Sequence, residues 1–381
     1  MQKSKVKIKM KIILGFFLIS FFSLAGFTQS REDEKFYVGT YTAEGSEGIY
    51  LCNFNNKTGE VSLNQVFKGM DNPNFLKISP DRKTLYAVTR LASDDGKADG
   101  FVEAYRISPG GSLKFINRQD SHGSHPCHVD ISPDGKIVGI ATYGGGTTSL
   151  YPVNEDGSLR PASSTVINKG SGPDPSRQSA PHAHSIRFSP HGDEVFSADL
   201  GTDKVDIFQI KNLKQKRASQ KYLELPAGSG PRHFDFHPDG DVIYVINELN
   251  STITSYKKEN KRWNLLETIS TVPEGFTDVN YPADIHVSAD GKFLYGSNRG
   301  HNSLAVYDIN PASKKLIWKG YISSKGDWPR NFAFSPDQQF ILVANQKSGN
   351  IVVYRINKAN GMPEFTGNEI DVPSAVCIEF L

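Results

Sequence analysis

His233-Phe-Asp-Phe-His-Pro-Asp-Gly-Asp-Val-Ile-Tyr-Val-Ile-Asn-Glu248 decides the fold. Two runs of alternating apolar residues flank a Pro-Asp-Gly turn. Proline presets φ, aspartate caps the turn and glycine takes positive φ, so the stretch reads as a β-hairpin. The same pattern returns at Phe75 to Arg90, His128 to Tyr143, Ser185 to Leu200, Asp284 to Arg299 and Asn331 to Gln346. A third apolar run follows each copy, such as Thr252 to Lys257, and then a fourth, such as Trp263 to Ser270. Four strands in about 50 residues is the size of one propeller blade.

The ends of the chain supply a seventh unit. Phe36 to Tyr41 matches a second strand and Gly48 to Asn55 a third. The missing first strand stands at the far end, as Pro373 to Leu381. The expected fold is therefore an all-β, seven-bladed propeller of four-stranded antiparallel blades. Its ring closes where N- and C-terminal strands share one blade, leaving no open edge between them. A β-sandwich does not explain six aligned hairpins with complementary ends. One domain, residues 36–381, takes up the repeats.

Composition agrees. Of 381 residues, 34 are Gly and 21 Pro, and 22% are charged, which suits a turn-rich globular β protein and excludes a coiled coil or a multispan membrane protein. Five lysines stand among the first eleven residues, followed by an uncharged apolar run from Ile12 to Phe27. That order predicts a secretory signal peptide over residues 1–29 and an exported protein, periplasmic or secreted, with no stable membrane span after cleavage. Losing those lysines takes the net charge from +2 to −3, which gives no reason to expect nucleic acid. Cys52, Cys127 and Cys377 form neither a disulfide framework nor a zinc motif and are expected to be free.

In each hairpin the first strand leaves one rim and the second returns to it. Two columns of residues therefore meet there. The outgoing column is Asn74, Cys127, His184, Arg232, Ala283, Arg330 and Ser374; the returning column is Arg90, Tyr143, Leu200, Glu248, Arg299, Gln346 and Tyr41. Asp199, Asn247, Asn298 and Asn345 sit just before the return. The opposite rim carries only repetitive turns. Repeated residues build blades and departures from repetition build a site, so function belongs to the first rim. Arg232 and Glu248 are expected to be neighbours, either as a structural ion pair or as a carboxylate held ionised and aimed into the channel.

Histidines at 122, 125 and 128, and at 182 and 184, raise a metal reading. No helix motif or accompanying carboxylate set supports it, and neither metal nor cofactor is expected. There is also no Gly-x-Ser-x-Gly elbow for a serine hydrolase.

From Phe36 to Leu381 the chain resembles the bacterial 6-phosphogluconolactonase family of seven-bladed propellers, relatives of the fungal carboxymuconate lactonizing enzymes. The motifs are Tyr37-Val-Gly-Thr-Tyr-Thr, His125-Pro-Cys-His, Pro181-His-Ala-His-Ser, Ala198-Asp-Leu-Gly-Thr-Asp-Lys, Gly230-Pro-Arg-His, Asn247-Glu-Leu, Ser297-Asn-Arg and Trp328-Pro-Arg-Asn. The resemblance implies a catalytic set of one histidine, two arginines and one glutamate. By motif these fall on His184, Arg232, Arg299 and Glu248, all within the two columns. His128, His182, Arg330, Asn298 and Asn345 are expected to bind substrate.

The implied function is a lactone hydrolase acting on a small sugar or related anionic lactone. Either Glu248 or His184 serves as base, and arginines hold the oxyanion and an anionic group. Two alternatives use the same fold: a muconate-type lactonizing cycloisomerase, and a non-catalytic exported binding propeller. Tyr244-Val-Ile-Asn resembles the repeats of surface-layer propellers. Replacing Glu248 by glutamine is expected to remove activity and leave stability little changed.

Overall fold

The computed structural model describes residues 33–91 and 100–381. The expected signal, residues 1–29, lies outside the described residues. Within them, seven sheets of four antiparallel strands form a ring, and no helix is long and apolar enough to cross a membrane. The innermost strands are Pro73–Ile78, Pro126–Ile131, Ala183–Phe188, Pro231–Phe236, Tyr281–Val287, Pro329–Phe334 and Ala375–Phe380. Each packs beside the next around the channel.

The turns obey the chemistry of their residues. Ser132 Oγ donates to Asp134 Oδ1 at 2.7 Å and accepts from Ile137 N at 3.0 Å, closing the turn before the second strand begins. The fourth turn position has positive φ throughout. Gly135 takes it at 71° without strain, whereas Arg82 (59°) and Gln338 (58°) hold it with a side chain present.

Ring closure is as the ends of the sequence imply. Ala375–Phe380 is the inner strand and pairs with Asp33–Thr40, Phe36 facing Phe380 and Gly39 facing Cys377. A Cβ on Gly39 would stand 2.7 Å from the Pro73 carbonyl oxygen of the next blade, so the closing blade needs glycine there. Cys52 lies on the far side of this strand, opposite Phe36. All three cysteines are free.

Apolar residues facing a neighbouring blade form the core. Phe196, Phe234, Ile243 and Trp263, for example, fill one wedge between two blades. Side chains of one inner strand also cover the next. Each inner strand is a sheet edge with unpaired N–H groups. Phe188 N donates to Asp130 Oδ2 at 3.0 Å, Val287 N to Asp235 Oδ2 at 2.9 Å and Ile78 N to Glu379 Oε1 at 3.0 Å.

Inner strands share one irregularity that positions the site. Pairing with the second strand skips a residue between Pro73 and Phe75, Pro126 and His128, Ala183 and Ser185, Pro231 and His233, and Pro329 and Asn331. The unpaired residues are Asn74, Cys127, His184, Arg232 and Arg330. A β-bulge re-aims the side chain it carries. With Ala283, which lies in the register shift between Pro282 and Ile285, six of the seven members of the outgoing column are at bulges.

Candidate functional site

A cavity of about 280 Å³ opens at this rim. Asn74, Cys127, His184 and Arg330 line it from the bulges, and Tyr41, Arg90, Tyr143, Glu248 and Arg299 from the ends of second strands. Both columns therefore converge on one pocket. A larger groove of about 560 Å³ lies elsewhere, among residues such as Phe67, Phe101 and Arg118. It holds no member of either column, and its Glu103 is engaged by the Tyr105 hydroxyl, so the chemistry favours the smaller pocket.

Glu248 is the centre. It is 4% exposed and meets three guanidiniums. Its Oε2 accepts from Arg299 Nη2 at 2.5 Å and lies 3.2 Å from Arg232 Nε; its Oε1 accepts from Arg177 Nη2 at 2.5 Å. Burial alone pushes the carboxyl up, but Arg299, Arg232 and Arg177 together outweigh it and hold Glu248 down at about 2. It is a carboxylate at any physiological pH.

Arg232 is placed differently from its expected role. It is 2% exposed and does not line the pocket, but lies beneath Glu248. Its Nη1 donates to Ala283 O at 2.5 Å and stands 3.3 Å from His233 Nε2. His233 Nδ1 in turn is 2.7 Å from Asp284 Oδ1. The carboxylate fixes the ring proton on Nδ1, leaving Nε2 as an acceptor for Arg232. Burial, then the Arg232 charge, hold His233 down at about 3, so it stays neutral.

His184 lines the pocket as a neutral imidazole. Burial, then the charge of Arg232, push it well below the usual histidine range. Its Nδ1 is buried without a hydrogen-bond partner. Tyr143 meets its ring edge-on at 5.5 Å, and so does His233 at 5.5 Å.

The remaining expected binders divide. Arg330 lines the pocket, its Nη2 3.3 Å from the Tyr41 hydroxyl. His182 stacks behind Tyr143 at 4.4 Å and bonds the Tyr143 carbonyl at 2.8 Å, so it supports the wall rather than forming it. His128 is off the pocket wall, its ring tilted against Phe75 at 4.1 Å, with neither ring nitrogen partnered. Asn298 donates to Thr271 O at 2.8 Å and Asn345 to Ser324 O at 3.1 Å. These two amides tie loops, as does Asp199, which accepts from His182 N. Their column is repetitive, and its repetition serves architecture.

Sequence reading missed Arg177. It stands on the connection 168–182, the longest of those leading to an inner strand, and reaches back over the rim. Asp174 Oδ1 accepts from Ser176 N at 2.8 Å and Arg177 N at 3.2 Å, while Gln178 Nε2 donates to Leu200 O at 2.8 Å. The length of that connection was its only signal.

One potential cation set exists among the described residues: His237, Asp239 and Asp241, with donor atoms within 4.8 Å of one another, on the opposite rim. The Lys314 ammonium already sits there, 2.7 Å from Asp239 Oδ2. Its charge disfavours a metal.

The profile of the lactonase, 7-bladed β-propeller family matches residues 35–380. The 6-phosphogluconolactonase of Bacillus subtilis is 34% identical, covering 91% of this chain and 97% of its own. That of Formosa agariphila is 37% identical, covering 85% and 93%. The solved structure of the Pseudomonas aeruginosa periplasmic gluconolactonase superposes with a TM-score of 0.85 at 32% identity, covering 92% of this chain and 99% of that one. Matches of this extent make the protein a lactonase hydrolase: the chain belongs to the lactonase family of seven-bladed β-propellers.

Proposed function

We propose that the rim pocket opens an anionic sugar lactone with water. The observation that carries this is charge. Four guanidiniums (Arg90, Arg177, Arg299 and Arg330) face one cavity that holds a single carboxylate, Glu248. Glu248 already serves Arg177 and Arg299, whereas Arg90 and Arg330 have no carboxylate partner among the described residues. A phosphate or carboxylate on the substrate supplies the missing charge and bonds arginine through two oxygens. The phosphorylated lactone named for the two curated relatives has such a group.

Glu248 is a poor base, since both its oxygens are engaged and its carboxyl is held near 2. His184 is the better one. It is neutral and borders the cavity, and what depresses it is burial first and then positive charge from Arg232 and Arg330. An anion bound at Arg330 offsets that charge and makes the imidazole more basic when substrate is present. Water adds to the lactone carbonyl carbon while His184 takes its proton. The carbonyl oxygen becomes an oxyanion facing the Arg299 or Arg330 N–H groups. The ring C–O bond then breaks, the proton returns from His184 to the departing ring oxygen, and the product is a hydroxy acid.

The test is a pH-stat assay of the purified protein on 6-phosphogluconolactone and on neutral gluconolactone. Preferred turnover of the phosphorylated compound is expected; equal rates, or none, contradict the reading. The basic-then-apolar start also supports export, as does the relationship to a periplasmic enzyme. Cell fractionation tests this.

A further inference from the structure

The two oxygens of Glu248 are not equivalent. Oε2 is shared by Arg299 and Arg232, whose side chains are 6% and 2% exposed. Both are pinned elsewhere. Arg299 Nε donates to Tyr281 O at 2.9 Å, and Arg232 Nη1 to Ala283 O at 2.5 Å. Oε1 has Arg177 alone, and that side chain is 29% exposed. Besides Glu248, among the described residues the Arg177 guanidinium has only the Tyr143 hydroxyl at 3.4 Å and the face of Tyr281 at 5.5 Å. No carbonyl among the described residues pins it. Its backbone is anchored through Asp174, so a change of partner needs only a turn of the side chain.

We propose that Arg177 is an exchangeable counter-ion. In the free protein it neutralises Oε1 of Glu248; when substrate arrives it turns to the substrate's anionic group, and Oε1 is left to accept a substrate hydroxyl. The inference rests on the lactonase reading of the pocket and adds a specificity residue to it. The exchange is limited in cost because Glu248 keeps Arg299 and Arg232 at Oε2 while a substrate hydroxyl replaces Arg177 at Oε1. It is favoured because phosphate and carboxylate oxygens match the guanidinium fork. It also separates substrates. An anionic lactone offers Arg177 a replacement for Glu248. A neutral lactone must break the pair with nothing in exchange, or bind without the use of Oε1.

Arg177→Gln and Arg177→Lys test this. KM for 6-phosphogluconolactone should rise about tenfold or more in Arg177→Gln, the worth of a charge-assisted hydrogen bond. KM for neutral gluconolactone should not rise. Arg177→Lys, which keeps the charge and loses the fork, should fall between. The melting temperature should stay near that of the parent, because Glu248 keeps Arg299 and Arg232 as partners. Calorimetric titration with inorganic phosphate gives a readout independent of turnover, and Arg177→Gln should weaken phosphate binding about tenfold. If the parent protein turns over neither lactone, the lactonase reading fails and the phosphate titration alone decides the role of Arg177. Unchanged KM and phosphate affinity would overturn the proposal. So would equal loss on both lactones with a lowered melting temperature, which marks a structural latch.

Discussion

Arg232 Nε stands 3.2 Å from Glu248 Oε2, yet Arg232 contributes no wall to the pocket. It touches Glu248 from outside the cavity, and His233, itself bonded to Asp284, stands against it. Burial, Arg299 and Arg330 all press its guanidinium toward losing its proton, while Glu248 and Asp284 oppose them. The ion pairs at this rim are thus one network, from Asp284 on the channel wall to Arg177 at the mouth.

His233 tests the lower half of that network. His233→Asn keeps a donor near Asp284 and removes the acceptor for Arg232. His233→Gln does the reverse. The asparagine variant should lose more activity, about tenfold against a few-fold, since a buried charged donor without a partner costs about 1–3 kcal/mol or more. Steady-state kinetics on matched amounts of folded protein decide it. Equal losses would reduce His233 to a packing residue.

Glu248→Gln should lower both activity and stability. The sequence implied a change in activity alone, but three guanidiniums around one buried carboxylate alter that expectation. Removing it leaves charges unpaired, at a cost of about 3 kcal/mol or more. Thermal melting and lactone turnover should fall together. An unchanged melting temperature would mean that Arg177, Arg232 and Arg299 are held without it.

Stability should decline as pH falls below about 6.5. His128, His184 and His233 all have folded values below their ordinary 6.5. A depressed value means that the unfolded chain binds the proton first. The stabilising contribution is complete above 6.5 and is lost as pH falls toward the folded values. Glu248 adds a loss only below its ordinary 4.5, ending near 2. Of these four groups, only the histidines act between pH 7 and 5. His128→Phe, which removes two unpartnered nitrogens beside Phe75, should reduce proton uptake on unfolding by about one. Denaturant melts at several pH values measure it; an unaltered slope would show that His128 takes up its proton equally in both states.

Deleting residues 373–381 should expose the edge of Asp33–Thr40 and cause aggregation, since those residues supply the inner strand of the closing blade. Light scattering and melting curves check this. A soluble truncated protein with unchanged melting would contradict the closure.

Most of the fold was legible because Ser-Pro-Asp-Gly turns and alternating runs recur with local causes. The shared closing blade was legible because Pro373 to Leu381 matches a strand that Phe36 lacks before it. Glu248, His184, Arg299 and Arg330 were legible as departures from repetition. Asn298 and Asn345 were not departures: their column repeats, and each donates to a neighbouring carbonyl. Two features had no local pattern. The bulges that turn His184 and Arg330 toward the cavity depend on pairing register, and Arg177 arrives from a loop outside the repeat.

Turnover by His184→Asn tests the pocket assignment most directly. On 6-phosphogluconolactone kcat should fall about 100-fold or more, the usual worth of a general base, with KM within a few-fold of the parent. Because His184 is held neutral well below 6.5, the parent's kcat/KM should also show no acid limb near that pH. Full turnover by His184→Asn would contradict the assignment and move the chemistry away from this rim.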